Sequence, residues 1–131
     1  MIIPILLIVL VLDQVIKFLL LSRFPDLVVI SARTFVFSNE TAVVFSFLFL
    51  ILLLGLYLRD KKITISRFLP SLGFGMSFGG AISNLIDRLV RGGVVDFSFK
   101  TANSNLADLC LLIGLILLFW FYFSRRSLEE S

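Results

Sequence analysis

Four apolar stretches, at residues 2–22, 42–58, 67–90 and 107–124, fill most of this chain and leave it few folds to choose from. Each comes close to the ~20 residues a helix needs to cross a bilayer, where backbone N–H and C=O groups must be satisfied within the protein. A helix at a water-facing surface breaks its apolar run at a period of 3.6, whereas the stretch at 42–58 is apolar on every side. Composition agrees, with 59% of the 131 residues hydrophobic, including 15 phenylalanines. The expected fold is an all-α membrane protein of four transmembrane helices, forming one domain over residues 1–131. The first stretch lacks a basic lead, and Asp13, Gln14 and Lys17 interrupt it, so it reads as a mature span and not as a cleaved signal. Residues 27–38, rich in β-branched and aromatic side chains, are expected to form a small β element, a short hairpin on the outer membrane surface.

Basic residues orient the spans. Arg59, Lys61, Lys62 and Arg67 lie between the second and third stretches, and Arg125 and Arg126 follow the fourth. Cytoplasmic loops collect such residues, so both termini are expected inside and the other two loops outside. The net charge of +3 is spread between spans and forms no nucleic-acid footprint.

Chemistry is bounded by what is missing. With no histidine, Ser-His-Asp hydrolysis, Cys-His catalysis and His-based metal sites are excluded. The single cysteine, Cys110, lies inside an apolar run and allows no internal disulfide. Carboxyl groups and lysines remain, and they concentrate between the third and fourth spans: Asp87, Arg88, Arg91, Asp96, Lys100 and Asp108, with Asn84 and Asn105 beside them. Ionisable groups at a membrane boundary mark a functional site by default.

Within the third span, Gly75, Gly79 and Ser83 recur every four residues, a small-residue stripe for close helix packing. The same helix then places Asn84, Asp87, Arg88 and Arg91 on one face, which must look inward or toward water. In the first span Asp13 and Lys17 are four apart and can pair, fastening that helix to the bundle. Lys17 as base for a serine nucleophile is the reactive alternative. Asp108 follows two capping candidates, Ser104 and Asn105, and the helix dipole there favours its ionised form. Asp96 follows the apolar run Gly92-Gly93-Val94-Val95 with no helper in sequence, so it is expected to carry the proton of a pair with Asp108. Two carboxyl groups sharing one proton can activate water and protonate a leaving amine.

The segment GGAISNLIDRLVRGGVVDF (79–97), followed by NLAD (105–108) and preceded by Asp13-Gln14-x-x-Lys17 in the first span, resembles the lipoprotein signal peptidase (signal peptidase II) family. The resemblance implies an intramembrane aspartyl peptidase of the bacterial cytoplasmic (inner) membrane, with its active site toward the outer face. It would hydrolyse the bond N-terminal to the lipid-modified cysteine of prolipoproteins. It also implies Asp96 and Asp108 as the catalytic pair, with Asp13, Lys17, Asn39, Asn84, Asp87, Arg88 and Asn105 supporting them or binding substrate. Diacylglyceryl-modified prolipoproteins and membrane lipids would be the partners of a monomer needing no cofactor or metal. The chain departs from the family pattern in Ser83 where Gly is usual, in the Asn39 segment, and in a short 97–104 loop. These motivate a second expectation, a relative that binds lipoproteins or signal peptides without cutting them. A third, a transport or proton-relay subunit, requires polar residues along several spans, and the second and fourth are nearly bare of them.

Overall fold

In the computed structural model, which describes residues 2–31, 38–62, 67–98 and 103–130, four long helices take up the four apolar stretches. They are α1 (Ile2–Arg23), α2 (Asn39–Arg59), α3 (Phe68–Arg91) and α4 (Leu106–Glu130). Local chemistry sets their ends. The Ser38 side chain accepts the Thr41 N–H at 3.3 Å and caps α2. Gly92, at φ 76°, closes α3 in the left-handed conformation that a side chain resists. At the start of α4 the Asn105 side chain accepts the Asp108 N–H at 2.8 Å, so of the two capping candidates Asn105 is the one used.

Three of these helices, α1, α2 and α4 as far as Arg126, are long and apolar enough to cross a membrane. They turn large apolar side chains outward; Leu52, Phe119 and Trp120 are 73%, 72% and 64% exposed. α3 differs because it is the central helix. It packs most extensively on α4 and α1 and less on α2, and small or polar residues (Ser71, Gly73, Gly75, Ser77, Gly79, Gly80, Ser83) make up most of its buried surface.

The stripe expected from sequence is where α1 docks. α1 and α3 run parallel with a repeat of four: a side chain added at Gly75 would strike Ile5, one at Gly79 would strike Val9, and beyond them Ser83 meets Asp13 and Lys17 meets Asp87. A second small-residue face of α3 receives α4. Gly73 lies against Leu118 and the Gly114 carbonyl, Gly80 against the Ala107 carbonyl, and Gly114 in turn against Ser77. With glycines on both faces, two neighbouring backbones approach α3 closely. Toward the N-terminal end of α3, Leu53, Phe74 and Leu118 form a buried apolar cluster, with Tyr57 edge-on to Phe74 at 5.7 Å.

The β element differs from the expected hairpin. β1 (Val28–Ser31) pairs antiparallel with β2 (Val94–Ser98), which pairs in turn with the two-residue β3 (Asn103–Ser104), in the order β1-β2-β3. Val29 faces Asp96 across the β1–β2 ladder. The physical reason is that the Gly92 turn delivers the apolar strand VVDFS to the same end of the bundle as VVIS. There two β-branched segments can pair at once. Residues 32–37, the rest of the expected hairpin, lie outside the described residues.

Candidate active site

Lys17 anchors the polar end of the bundle. Its side chain is 3% exposed, and its Nζ lies 2.6 Å from Asp13 Oδ2, 2.5 Å from Asp87 Oδ2 and 3.2 Å from Asn84 Oδ1. An ammonium has three protons to donate, and all three have acceptors here. Lys17 therefore has no free lone pair with which to serve a serine, which removes the Ser–Lys alternative. Asp87, fully buried, also accepts Arg91 Nη1 at 2.6 Å and Gln14 Nε2 at 3.0 Å on its other oxygen. Asp13, 1% exposed, accepts the Ser83 hydroxyl at 2.5 Å. Two carboxylates thus stand against one ammonium and one guanidinium. Such balance is what makes buried charge tolerable, and removing one partner of such a pair typically costs about 3–5 kcal/mol.

The two aspartates marked out by sequence meet at Asn105. From its capping position this side chain donates to Asp96 Oδ1 at 2.6 Å and to the Val95 carbonyl at 3.1 Å, while its Oδ1 accepts the Asp108 N–H at 2.8 Å. Asp96 therefore has the hydrogen-bonding helper that its place in the sequence did not reveal. Asp108 accepts the Asn84 amide at 2.8 Å, and the opposite end of that amide is held by Lys17. Backbone donors complete the arrangement: Asp13 Oδ1 accepts the Ala107 N–H at 2.9 Å and Asp87 Oδ2 the Val95 N–H at 3.2 Å.

Asp96 is 6% exposed, whereas Asp108 is half-buried. A small cavity beside Asp96 is lined also by Asn105, Asp13, Lys17, Val28 and Leu106. Arg88 lies within electrostatic reach of Asp96, Asp108 and Asp87. It also donates to Asn39 Oδ1 at 3.1 Å, and Asn39 returns a hydrogen bond to the Arg88 carbonyl at 3.3 Å, so α2 is clasped to α3 at this end.

Asp13, Lys17, Asn39, Asn84, Asp87, Arg88, Asp96, Asn105 and Asp108 all lie at this end of the bundle, while Lys100 of the sequence cluster lies outside the described residues. Arg91 of the charged cluster joins them, as do Gln14 and Ser83, two network members that sequence reasoning left out of the site. Gln14 donates to Ser83, to Asp87 and to the Ser83 carbonyl, and accepts from Arg91 at 3.2 Å. Its signal was its place inside Asp13-Gln14-x-x-Lys17, one helical step from a buried charge.

Chemically, the arrangement offers two carboxyl groups, each oriented by its own asparagine amide (Asn105 on Asp96, Asn84 on Asp108), in surroundings of fixed dipoles. Groups held this way suit general acid–base catalysis on water.

Comparison with known proteins identifies relatives of the chain. The family model described as Signal peptidase (SPase) II matches residues 5–124. A lipoprotein signal peptidase of Helicobacter pylori (strain ATCC 700392 / 26695) is 31% identical over 133 residues, covering 88% of this chain and 83% of that one. One of Rickettsia conorii is 37% identical over 81 residues, covering 57% of this chain and 39% of its own. Among solved structures, a bacterial membrane enzyme determined by the in meso method at 2.3 Å superposes with a TM-score of 0.72 at 25% identity, covering 96% of this chain and 89% of that one.

Proposed function

Because this chain belongs to the signal peptidase II family, we propose that it is a prolipoprotein signal peptidase, hydrolysing the peptide bond N-terminal to a diacylglyceryl-modified cysteine. The observation that carries the reading is the Asn105 clamp, one side chain bonded both to the Asp96 carboxylate and to the backbone of Asp108. Asp96 and Asp108 hold the attacking water between them. One takes its proton as it adds to the scissile carbonyl, and the other protonates the leaving amine, with no covalent intermediate. Asn84 and Asn105 orient the two carboxyl groups, while Arg88, clasped to Asn39, faces the charge that develops on the carbonyl oxygen.

In this reading α3 is the fourth membrane span. Its 24 residues reach about 36 Å, enough for the bilayer core, and its buried polar side chains turn toward α1 and α4, with Arg88 toward α2. The basic residues Arg59, Lys61, Lys62, Arg67, Arg125 and Arg126 set both termini in the cytoplasm of a bacterial inner-membrane protein and the aspartates toward the outer face. The substrate's acyl chains lie along the lipid-facing apolar helix surfaces, and one copy of the chain suffices.

The test is cleavage by the purified protein of a lipid-modified precursor beside an unmodified one. Turnover of the modified precursor, yielding a new N-terminal modified cysteine, is expected. Tight binding of the precursor without turnover would assign the chain to carriage of lipoproteins instead.

A further inference from the structure

Lys17 touches neither Asp96 nor Asp108, yet it joins the two supports on which they stand. Asp13 gives one oxygen to Lys17 and the other to the Ala107 N–H, the amide immediately before Asp108. Asp87 gives the same oxygen to Lys17 and to the Val95 N–H, the amide immediately before Asp96. Each member of the aspartate pair is thus preceded by a backbone amide gripped by a buried carboxylate, and a single ammonium ties the two carboxylates together. Ser83 and Gln14 form a second, neutral link between the same carboxylates, Ser83 donating to Asp13 and Gln14 to Ser83 and Asp87, whereas Lys17 bonds both carboxylates directly. Lys17 also fixes which way the Asn84 amide faces, since its carbonyl must accept from the ammonium and its NH₂ is thereby turned to Asp108.

We infer that Lys17 is the positioning residue that sets the spacing of the aspartate pair, acting through Asp13 and Asp87 on the amides of Ala107 and Val95. The inference rests on the proposed peptidase reading. A carboxylate in a strand and another at a helix start belong to separate elements. Asn105 links them once, and beyond that link their separation is held only as well as those elements are held to each other; a shift of 1 Å in reacting groups can cost on the order of 100-fold in rate. A purely neutralising Lys17 would do less: without it the bundle would be less stable, but the molecules still folded would cleave normally.

The experiment measures kcat and KM per folded molecule, with the folded fraction taken from circular dichroism and size exclusion, for Lys17→Met, Asp87→Asn, Asp87→Ala, Asp13→Asn and Asp13→Ala. Lys17→Met is expected to lower kcat on the order of 100-fold with KM little changed, since it leaves the substrate-facing groups in place but unties their supports. An asparagine at 87 or 13 still offers an oxygen to the backbone amide, whereas alanine does not, so each Asn variant should outperform its Ala partner by about tenfold. Wild-type kcat in folded Lys17→Met, or Asn and Ala variants equally impaired, would overturn the positioning role. If Lys17→Met fails to insert, the comparison of Asn with Ala still decides. Asp96→Asn and Asp108→Asn run alongside: activity surviving in those two would sink the peptidase mechanism itself, and their inactivity with a normal Lys17→Met would sink only the inference.

Discussion

Gly80 connects helix packing to the aspartate pair, and replacing it by alanine tests that connection. A methyl at this position would sit 2.5 Å from the Ala107 carbonyl oxygen and 3.1 Å from the Leu111 N, both backbone atoms of the first turns of α4. Ordinary van der Waals contact begins near 3.4 Å, so α4 must retreat by roughly 0.9 Å at this level, and no flexible side chain is there to yield instead. Ala107 immediately precedes Asp108 and is itself held by Asp13. The retreat therefore either stretches that hydrogen bond or carries Asp108 away from Asn84. Overpacking of this kind costs typically about 1–3 kcal/mol, only partly offset by the helix preference of alanine over glycine, worth about 1 kcal/mol. A displacement near 1 Å at the reacting groups lowers kcat on the order of 100-fold. The assay is initial-rate cleavage of a lipid-modified precursor in bicelles, with thermal unfolding of the same samples. Gly55→Ala is the control, because nothing lies within 4 Å of its added methyl; it should keep full activity and equal or greater stability. A Gly80→Ala enzyme with wild-type kcat would refute the reasoning, as would an equal loss in Gly55→Ala.

Ser77 Oγ is buried and has no hydrogen-bond partner among the described residues, so Ser77→Ala should leave the melting temperature unchanged or raise it by removing an unsatisfied group worth about 1 kcal/mol; a clear drop would mean the hydroxyl has a partner. At the opposite end of the bundle, burial pushes the Asp60 carboxyl up, but the Tyr122 hydroxyl at 2.7 Å and the Arg59 guanidinium outweigh it and hold the group below its ordinary value. That stabilisation is present above the unfolded carboxylate value of about 4 and is lost as the pH falls through the lower folded one. Tyr122→Phe should therefore reduce stability at neutral pH by about 1 kcal/mol, flatten its decline in acid and leave kcat untouched, as paired thermal melts and rate measurements would check. Asn39→Ala removes the clasp between α2 and the Arg88 guanidinium; because that guanidinium faces charge that develops in the transition state, it is expected to lower kcat more than it raises KM, and steady-state kinetics showing the reverse would assign the clasp to substrate binding.

What the sequence made legible was whatever depends on short spacing. The Asp13–Lys17 pair at four residues, the polar face from Asn84 to Arg91 and the Gly75-Gly79-Ser83 stripe follow from helix periodicity, and the structure bears out each of them; that α4 starts just after Ser104 and Asn105 was also legible, but only the structure chooses Asn105 as the cap. What escaped depends on contacts across long stretches of chain. The partner of β1 is a strand more than sixty residues onward, chosen only when α1 and α3 bring both to one end of the bundle. The second glycine face, where Gly73, Gly80 and Gly114 admit α4, has no simple period in one segment because it is shared between two. Asp96 appeared without a donor because Asn105, nine residues away, reaches it only through the turn into α4.

The central claim is that Asp96 and Asp108 together cleave the precursor. The direct measurement is the single-turnover rate of purified wild type, Asp96→Asn and Asp108→Asn on a diacylglyceryl-modified substrate, each variant first shown to be folded. Loss of cleavage in both variants is expected, because an amide can neither accept the water's proton nor deliver one to the amine. Wild-type cleavage in either variant would contradict the account.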